Sequence, residues 1–140
     1  MKILLAVDGS KSSEAAAKYV ARLAKELALP PSLTLLNVDA PLLQAAAAKL
    51  GAKAVANYHS SNGEYAVTGA SRILARARLP FDTRLLVGDA AEQIAAAAAK
   101  QRVDLIVMGS RGLTAFKGLL LGSVASKVLA RSALPVTLVR

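Results

Sequence analysis

Five short apolar runs punctuate the chain: Ile3–Val7, Leu33–Val38, Thr83–Val87, Leu105–Met108 and Val136–Val139. They are rich in Leu, Ile and Val, and most show little polar alternation. Strands buried on both faces read that way, as in a parallel sheet covered by helices. Between the runs the period lengthens to that of a helix. From Ser12 to Ala28, residues Ala16, Val20, Leu23, Ala24 and Leu27 make one apolar stripe, while Lys11, Lys18, Arg22 and Lys25 fall away from it. Pro30-Pro31 closes that segment. Ala90 to Gln101 is nearly all alanine around Ile94, and Asp89 and Glu92 stand at capping-box spacing before it. Val124, Val128 and Leu129 predict a last helix over Ser123–Arg131, and Pro135 introduces the final strand. Strands alternating with helices imply right-handed βαβ crossovers and an open, doubly wound α/β sheet.

The middle is less regular. Asp39 to Asn62 is long for a simple connection. Within it the alanine-rich Pro41–Lys53 can form an extra helix, and Tyr58-His59-Ser60-Ser61-Asn62-Gly63 reads as a loop. Glu64–Arg78 reads as the second crossover helix despite Gly69 in its interior. No repeat or boundary interrupts the 140 residues, so one domain over 1–140 with a sizeable core is expected.

Composition narrows the picture. The chain is 54% hydrophobic and has no cysteine, which excludes disulfides and thiolate metal sites. Its first apolar run is too short for a signal-peptide core or a membrane span, so a cytoplasmic protein with no membrane association is expected. Eighteen basic against nine acidic residues give a net charge of +9, which favours anionic partners. The bases are scattered: Lys18, Arg22 and Lys25 share a helical spacing, as do Arg72 and Arg76, the pattern of solvated helix faces. Without a basic-aromatic recognition signature, nucleic acid is a minor hypothesis. His59 stands alone in the expected loop and reads as a surface histidine.

The most specific chemistry lies just after the fourth apolar run, where MGSRGLTAFKGLLLGSVASKVL spans Met108–Leu129 and holds Gly109, Gly112, Gly118 and Gly122. In an open α/β sheet, ligands bind beyond the carboxyl ends of the strands, where strand order reverses. Gly109 and Gly112 allow close approach of backbone to a ligand and can take positive φ. Exposed N–H groups in such a turn form an anion site. Gly122-Ser123 then opens the last helix, whose first N–H groups lack partners within the helix. A polyphosphate could thus be held from two sides. Each residue also has a purely structural reading: Gly109 as a strand end, Gly112 as a turn, Ser123 as an N-cap. Neither the P-loop motif nor the dinucleotide G-x-G-x-x-G is present.

The spacing G-x2-G-x9-G-[ST], from Gly109 to Ser123, resembles the ATP-binding signature of the universal stress protein family. So do KILLAVDGS at Lys2–Ser10, LTLLNVDA at Leu33–Ala40, VGDAAEQI at Val87–Ile94 and the terminal LPVTLVR. The resemblance implies five parallel strands in the order 3-2-1-4-5 with helices on both faces, and a switch point between strands one and four. It implies ATP, with Mg²⁺ as a candidate companion, held across strands one, two and four. Ala6, Val7 and Asp8 would end the first strand at the site. Asp8 would sit near the ribose or a metal; otherwise it caps the first helix with Ser10. Val38 would pair its backbone with the adenine edge. Met108 and Gly109 would pack beside adenine and ribose. Gly112, Gly122, Ser123 and Val124 would cradle phosphates, with Ser110, Arg111 and Thr114 in the same loop. Arg111 stands where family members often carry histidine. The family also implies a homodimer through the edge of Val136–Val139, and an unpaired apolar edge strand invites such pairing. No histidine is identifiable as a base for Ser10, Ser12 or Ser13, and nothing identifies a group that would orient water. The expected role is therefore an ATP-binding stress-response regulator with little or no hydrolysis. A slow ATP hydrolase and a nucleotide-free interaction module of the same fold are the alternatives.

Overall fold

The computed structural model describes residues 1–113 and 121–140. Five strands, β1 (Lys2–Ala6), β2 (Ser32–Asp39), β3 (Asp82–Val87), β4 (Leu105–Gly109) and β5 (Val136–Val139), form one sheet in the order β3-β2-β1-β4-β5. All four pairings are parallel. Helices α1 (Lys11–Glu26), α2 (Gln44–Leu50), α3 (Ala52–Arg76), α4 (Ala90–Gln101) and α5 (Ser123–Arg131) connect them. The α/β class and strand order agree with the sequence reading.

The alternating side chains of the strands divide the core in two. Ile3, Leu5, Val7, Leu33, Leu35 and Val107 pack with Ala16, Ala17 and Val20 of α1 and with Val67, Ala70 and Leu74 of α3. Leu4, Ala6, Leu36, Ile106 and Met108 pack on the other face with Ala91, Ile94 and Ala98 of α4 and with Ala125 and Val128 of α5. A period of two along each strand sends neighbours to opposite layers. Burying both faces explains why β1 and β4 read as unbroken apolar runs.

Two expectations are corrected. Thr83–Val87 read as a strand buried on both faces, yet β3 is exposed along most of its length. It is an edge strand, and the helices cover the central strands first. The expected loop at Tyr58–Gly63 is instead inside α3, which runs unbroken from Ala52 to Arg76. Tertiary packing overrides loop-forming composition there. Gly63 faces β3 so closely that a Cβ would lie 3.0 Å from the Leu85 methyls. Ser60 Oγ donates to Glu64 Oε1 at 3.0 Å, and Thr68 Oγ1 donates to the Glu64 carbonyl at 2.7 Å. The extra helix expected in Pro41–Lys53 is realised as the short α2, divided from α3 by Gly51 at φ +80°.

Candidate functional site

Strand β1 stops at Ala6, while β2 continues to Asp39 on one side and β4 to Gly109 on the other. The strand order reverses here, and the carboxyl ends open into a crevice of about 860 Å³. Ala6, Val7 and Asp8 form its floor. Val38, Asn37 and Asp39 line one wall, and Met108, Gly109, Arg111, Gly112 and the start of α5 line the other. Asn62, Tyr65 and Ala66 of α3 and Ala90 and Ile94 of α4 complete it.

The turn after β1 is fixed by Asp8. Its Oδ1 accepts hydrogen bonds from Ser10 N at 3.0 Å and Ser13 Oγ at 2.6 Å, and its Oδ2 accepts from Leu113 N at 3.1 Å. Burial alone would raise the Asp8 pKa, but these donors outweigh it and hold the carboxyl below the usual 3.8. Ser10 is the N-cap of α1, its Oγ accepting from Ser13 N at 3.2 Å. Asp8 thus ties three segments together: its own turn, the first turn of α1 and the loop after β4. Its side chain has the capping role and also borders the crevice.

The glycines follow from close packing rather than from unusual torsions. Gly109, Gly112 and Gly122 all lack positive φ. A Cβ on Gly109 would lie 2.6 Å from Ser12 Cβ and 2.9 Å from the Ser12 carbonyl carbon. One on Gly112 would meet Asp8 Oδ2 at 2.6 Å, and one on Gly122 would meet Arg111 Cα at 3.3 Å. The positive-φ expectation for Gly109 and Gly112 is therefore corrected: the space is taken by protein atoms. The N–H of Gly122 is also engaged, donating to the Ser110 carbonyl at 2.8 Å. That bond ties Ser110, just after β4, to the start of α5.

Donors remain beyond it. Gly122 is the N-cap of α5 and supplies no side-chain cap. The first intrahelical bond runs from Ser126 N to the Gly122 carbonyl, so Ser123, Val124 and Ala125 present N–H groups that meet no acceptor among the described residues. The N–H groups of Arg111 and Gly112 likewise donate to no described group. Such a cluster, with the positive end of the helix dipole behind it, suits an anion. Ser110 sits behind the crevice wall, and its buried Oγ meets no partner among the described residues. It is 1% exposed, is not among the crevice-lining residues, and its N–H donates to the Val139 carbonyl at 2.7 Å. Thr114 lies outside the described residues.

The opposite wall carries a backbone edge. The Leu36 carbonyl accepts from Val7 N at 2.9 Å, so Leu36 turns its polar groups toward β1. Alternate residues of a strand turn theirs to the same side. Val38 therefore directs its N–H and C=O toward the side where β1 has already ended. Asn37 closes that end, its Nδ2 donating to the Val7 carbonyl at 2.8 Å.

Beside Val38 is a cluster the sequence reading missed. Asp39 Oδ2 meets His59 Nδ1 at 2.6 Å and Asn62 Nδ2 at 3.0 Å. The His59 side chain is 12% exposed, which corrects its expected place in a surface loop. Once that segment is helical, residues 59 and 62 share one face and reach the end of β2 together. Burial would raise the Asp39 pKa, but the hydrogen bonds from His59 and Asn62 hold it below 3.8. Asp39 is therefore ionised near neutrality, and His59 Nδ1 donates to it.

The fold and crevice define an open α/β protein with a crevice at its switch point, N–H groups without described acceptors on one wall and a free strand edge on the other. The chain belongs to the universal stress protein family, whose model matches residues 1–140. It is 31% identical over 147 residues to the universal stress protein YxiE of Bacillus subtilis, covering 99% of this chain and 98% of that one. It matches the solved structure of MJ0577, from Methanocaldococcus jannaschii, with a TM-score of 0.83 and 28% identity over 99% of this chain and 94% of that one. The same fold recurs in the Archaeoglobus fulgidus universal stress protein in complex with dAMP, with a TM-score of 0.70 and 21% identity over 100% of this chain and 98% of that one. A universal stress protein in complex with cAMP gives 0.72 at 24% identity, covering 100% and 97%.

Proposed function

We propose that the protein binds an adenine nucleotide, ATP by preference and with Mg²⁺ as a candidate companion, and acts as a stress-response regulator rather than a turnover enzyme. The observation that carries this reading is the pairing of two unsatisfied backbone surfaces across one crevice. The N–H groups at the start of α5 suit phosphate, and the Val38 edge suits the donor and acceptor edge of a base. A cavity of about 860 Å³ is in the range of small-molecule sites. The cAMP and dAMP complexes of the same fold support the reading. Asp8, Met108 and Gly109 would lie along the ribose, and Arg111, Gly112, Ser123 and Val124 along the phosphates. Occupancy of the crevice would stabilise one conformation or a dimer and so act as the signal. Pairing of two copies through the outer edge of β5 would carry that signal between subunits.

The test is direct. Denaturation of the purified protein should release an adenine nucleotide, and calorimetric titration of the stripped protein should show one site for ATP. Absence of heat with every adenylate, with and without Mg²⁺, would end this reading. Sustained phosphate release over many turnovers would move the assignment to a hydrolase.

A further inference from the structure

We propose that Asp39 selects the base: its carboxylate, fixed by His59 and Asn62 beside the free edge of Val38, accepts hydrogen from an exocyclic amino group and so favours adenine over hypoxanthine. The inference rests on the reading that a nucleotide base occupies the β2 wall of the crevice.

The backbone of Asp39 is committed elsewhere, its carbonyl accepting from Gly88 N at 2.9 Å on the β3 side. The side chain is what this residue offers the crevice, and both Asp39 and Asn62 line it. His59 and Asn62 both donate to Oδ2. Oδ1 takes no side-chain donor among the described residues. Pinning α3 to the sheet accounts for Oδ2; the Ala40 N–H also donates toward the carboxylate, and with two lone pairs on each oxygen Oδ1 keeps acceptor capacity. An ionised carboxylate is acceptor-only. It suits the amino group at C6 of adenine and repels the carbonyl oxygen that hypoxanthine carries there. Sites that hydrogen-bond one such group discriminate strongly against the analogue lacking it, because a buried polar partner is then left unpaired.

The experiment is calorimetric titration of the full chain with ATP, ITP and inorganic tripolyphosphate. The unaltered protein should prefer ATP to ITP. In Asp39→Asn, whose amide can donate to a carbonyl, the ATP:ITP affinity ratio should fall about tenfold. Its tripolyphosphate affinity should not fall, because the N–H groups that hold phosphate lie on the opposite wall and the variant removes a negative charge from the crevice. Asn62→Leu keeps the carboxylate but loosens it, and the ratio should fall roughly threefold. If Asp39→Asn does not fold, Asn62→Leu carries the test. An unchanged ratio in the folded variants overturns base selection by Asp39 while leaving the nucleotide site standing. An unaltered protein that binds neither nucleotide removes the site itself, and this inference with it.

Discussion

The two walls of the crevice are made in opposite ways. The β4–α5 wall is local: Met108–Leu113 and Gly122–Ala125 supply its described part, and its shape depends on what is absent, namely side chains at 109, 112 and 122. The β2–α3 wall is assembled from a distance: Asp39 meets residues 20 and 23 positions later, and its shape depends on charge and hydrogen bonds. A wall built of backbone tolerates no added atoms, whereas one built of side chains can be retuned. The first suits an invariant group such as phosphate, and the second suits a choice between bases.

The strongest way to break that contrast is Gly122→Val. Its Cβ would press on Arg111 Cα at 3.3 Å and on Gly112 N and the Ser110 carbonyl at 3.5 Å, all backbone atoms. The branched methyls would pry the loop from α5 and strain the Gly122 to Ser110 bond. An overpacking cost of about 3 kcal/mol at the site corresponds to roughly a hundredfold loss of affinity. ATP, ITP and tripolyphosphate should all lose equally in calorimetry. A variant that lost ATP and kept tripolyphosphate would place the phosphates elsewhere.

Gly109→Ala separates fold from binding on the same wall. The new methyl would fall 2.6 Å from Ser12 Cβ and 2.9 Å from Ser12 backbone, forcing β4 away from the start of α1. Urea denaturation should show a loss of about 3 kcal/mol. Gly63→Ala, whose methyl meets the flexible ends of Leu85, should cost clearly less in the same assay. Equal losses would mean that the α1–β4 contact yields as readily as a leucine side chain.

This difference also explains what could be read from the chain. The glycine wall was legible because its signals are contiguous, although the reason for the glycines was not. Ser12 and Asp8 lie about a hundred residues away in sequence, and spacing alone cannot show that they fill the space beside Gly109 and Gly112. The sheet order was legible through the family resemblance, and the strands through their apolar runs. The Asp39 cluster was hidden because His59, Ser60, Ser61, Asn62 and Gly63 have turn-forming composition, and only docking against β2 and β3 makes them helical. A histidine and an asparagine at i and i+3, read as one helix face opposite an aspartate ending a strand, were the available signal.

Asp8 joins the floor to the glycine wall, and acid should undo that join. Its folded pKa lies below 3.8, so its stabilisation is complete above about pH 5 and is lost as pH falls through 3.8 toward the folded value. Asp8→Asn removes the charge that three donors require. It should be less stable than the unaltered protein by about 2 kcal/mol at pH 7, and the gap should narrow progressively as pH falls below 3.8. A gap that persists undiminished at pH 3 would assign the effect to packing rather than to charge.

The smallest expected effect tests whether the walls are independent. Ser10 caps α1, accepting from Ser13 N at 3.2 Å, and its own N–H donates to Asp8 Oδ1 at 3.0 Å. Ser10→Ala keeps the backbone bond and removes the cap, so thermal or urea unfolding should report a loss of about 1 kcal/mol. Ser10 is not among the crevice-lining residues, and Asp8 retains Ser13 Oγ and Leu113 N. Nucleotide affinity of the folded variant should therefore match that of the unaltered protein. If affinity falls by more than about threefold, the cap must act through Ser13 and Asp8 on the loop after β4. The crevice would then open and close as one unit rather than as two separately built walls.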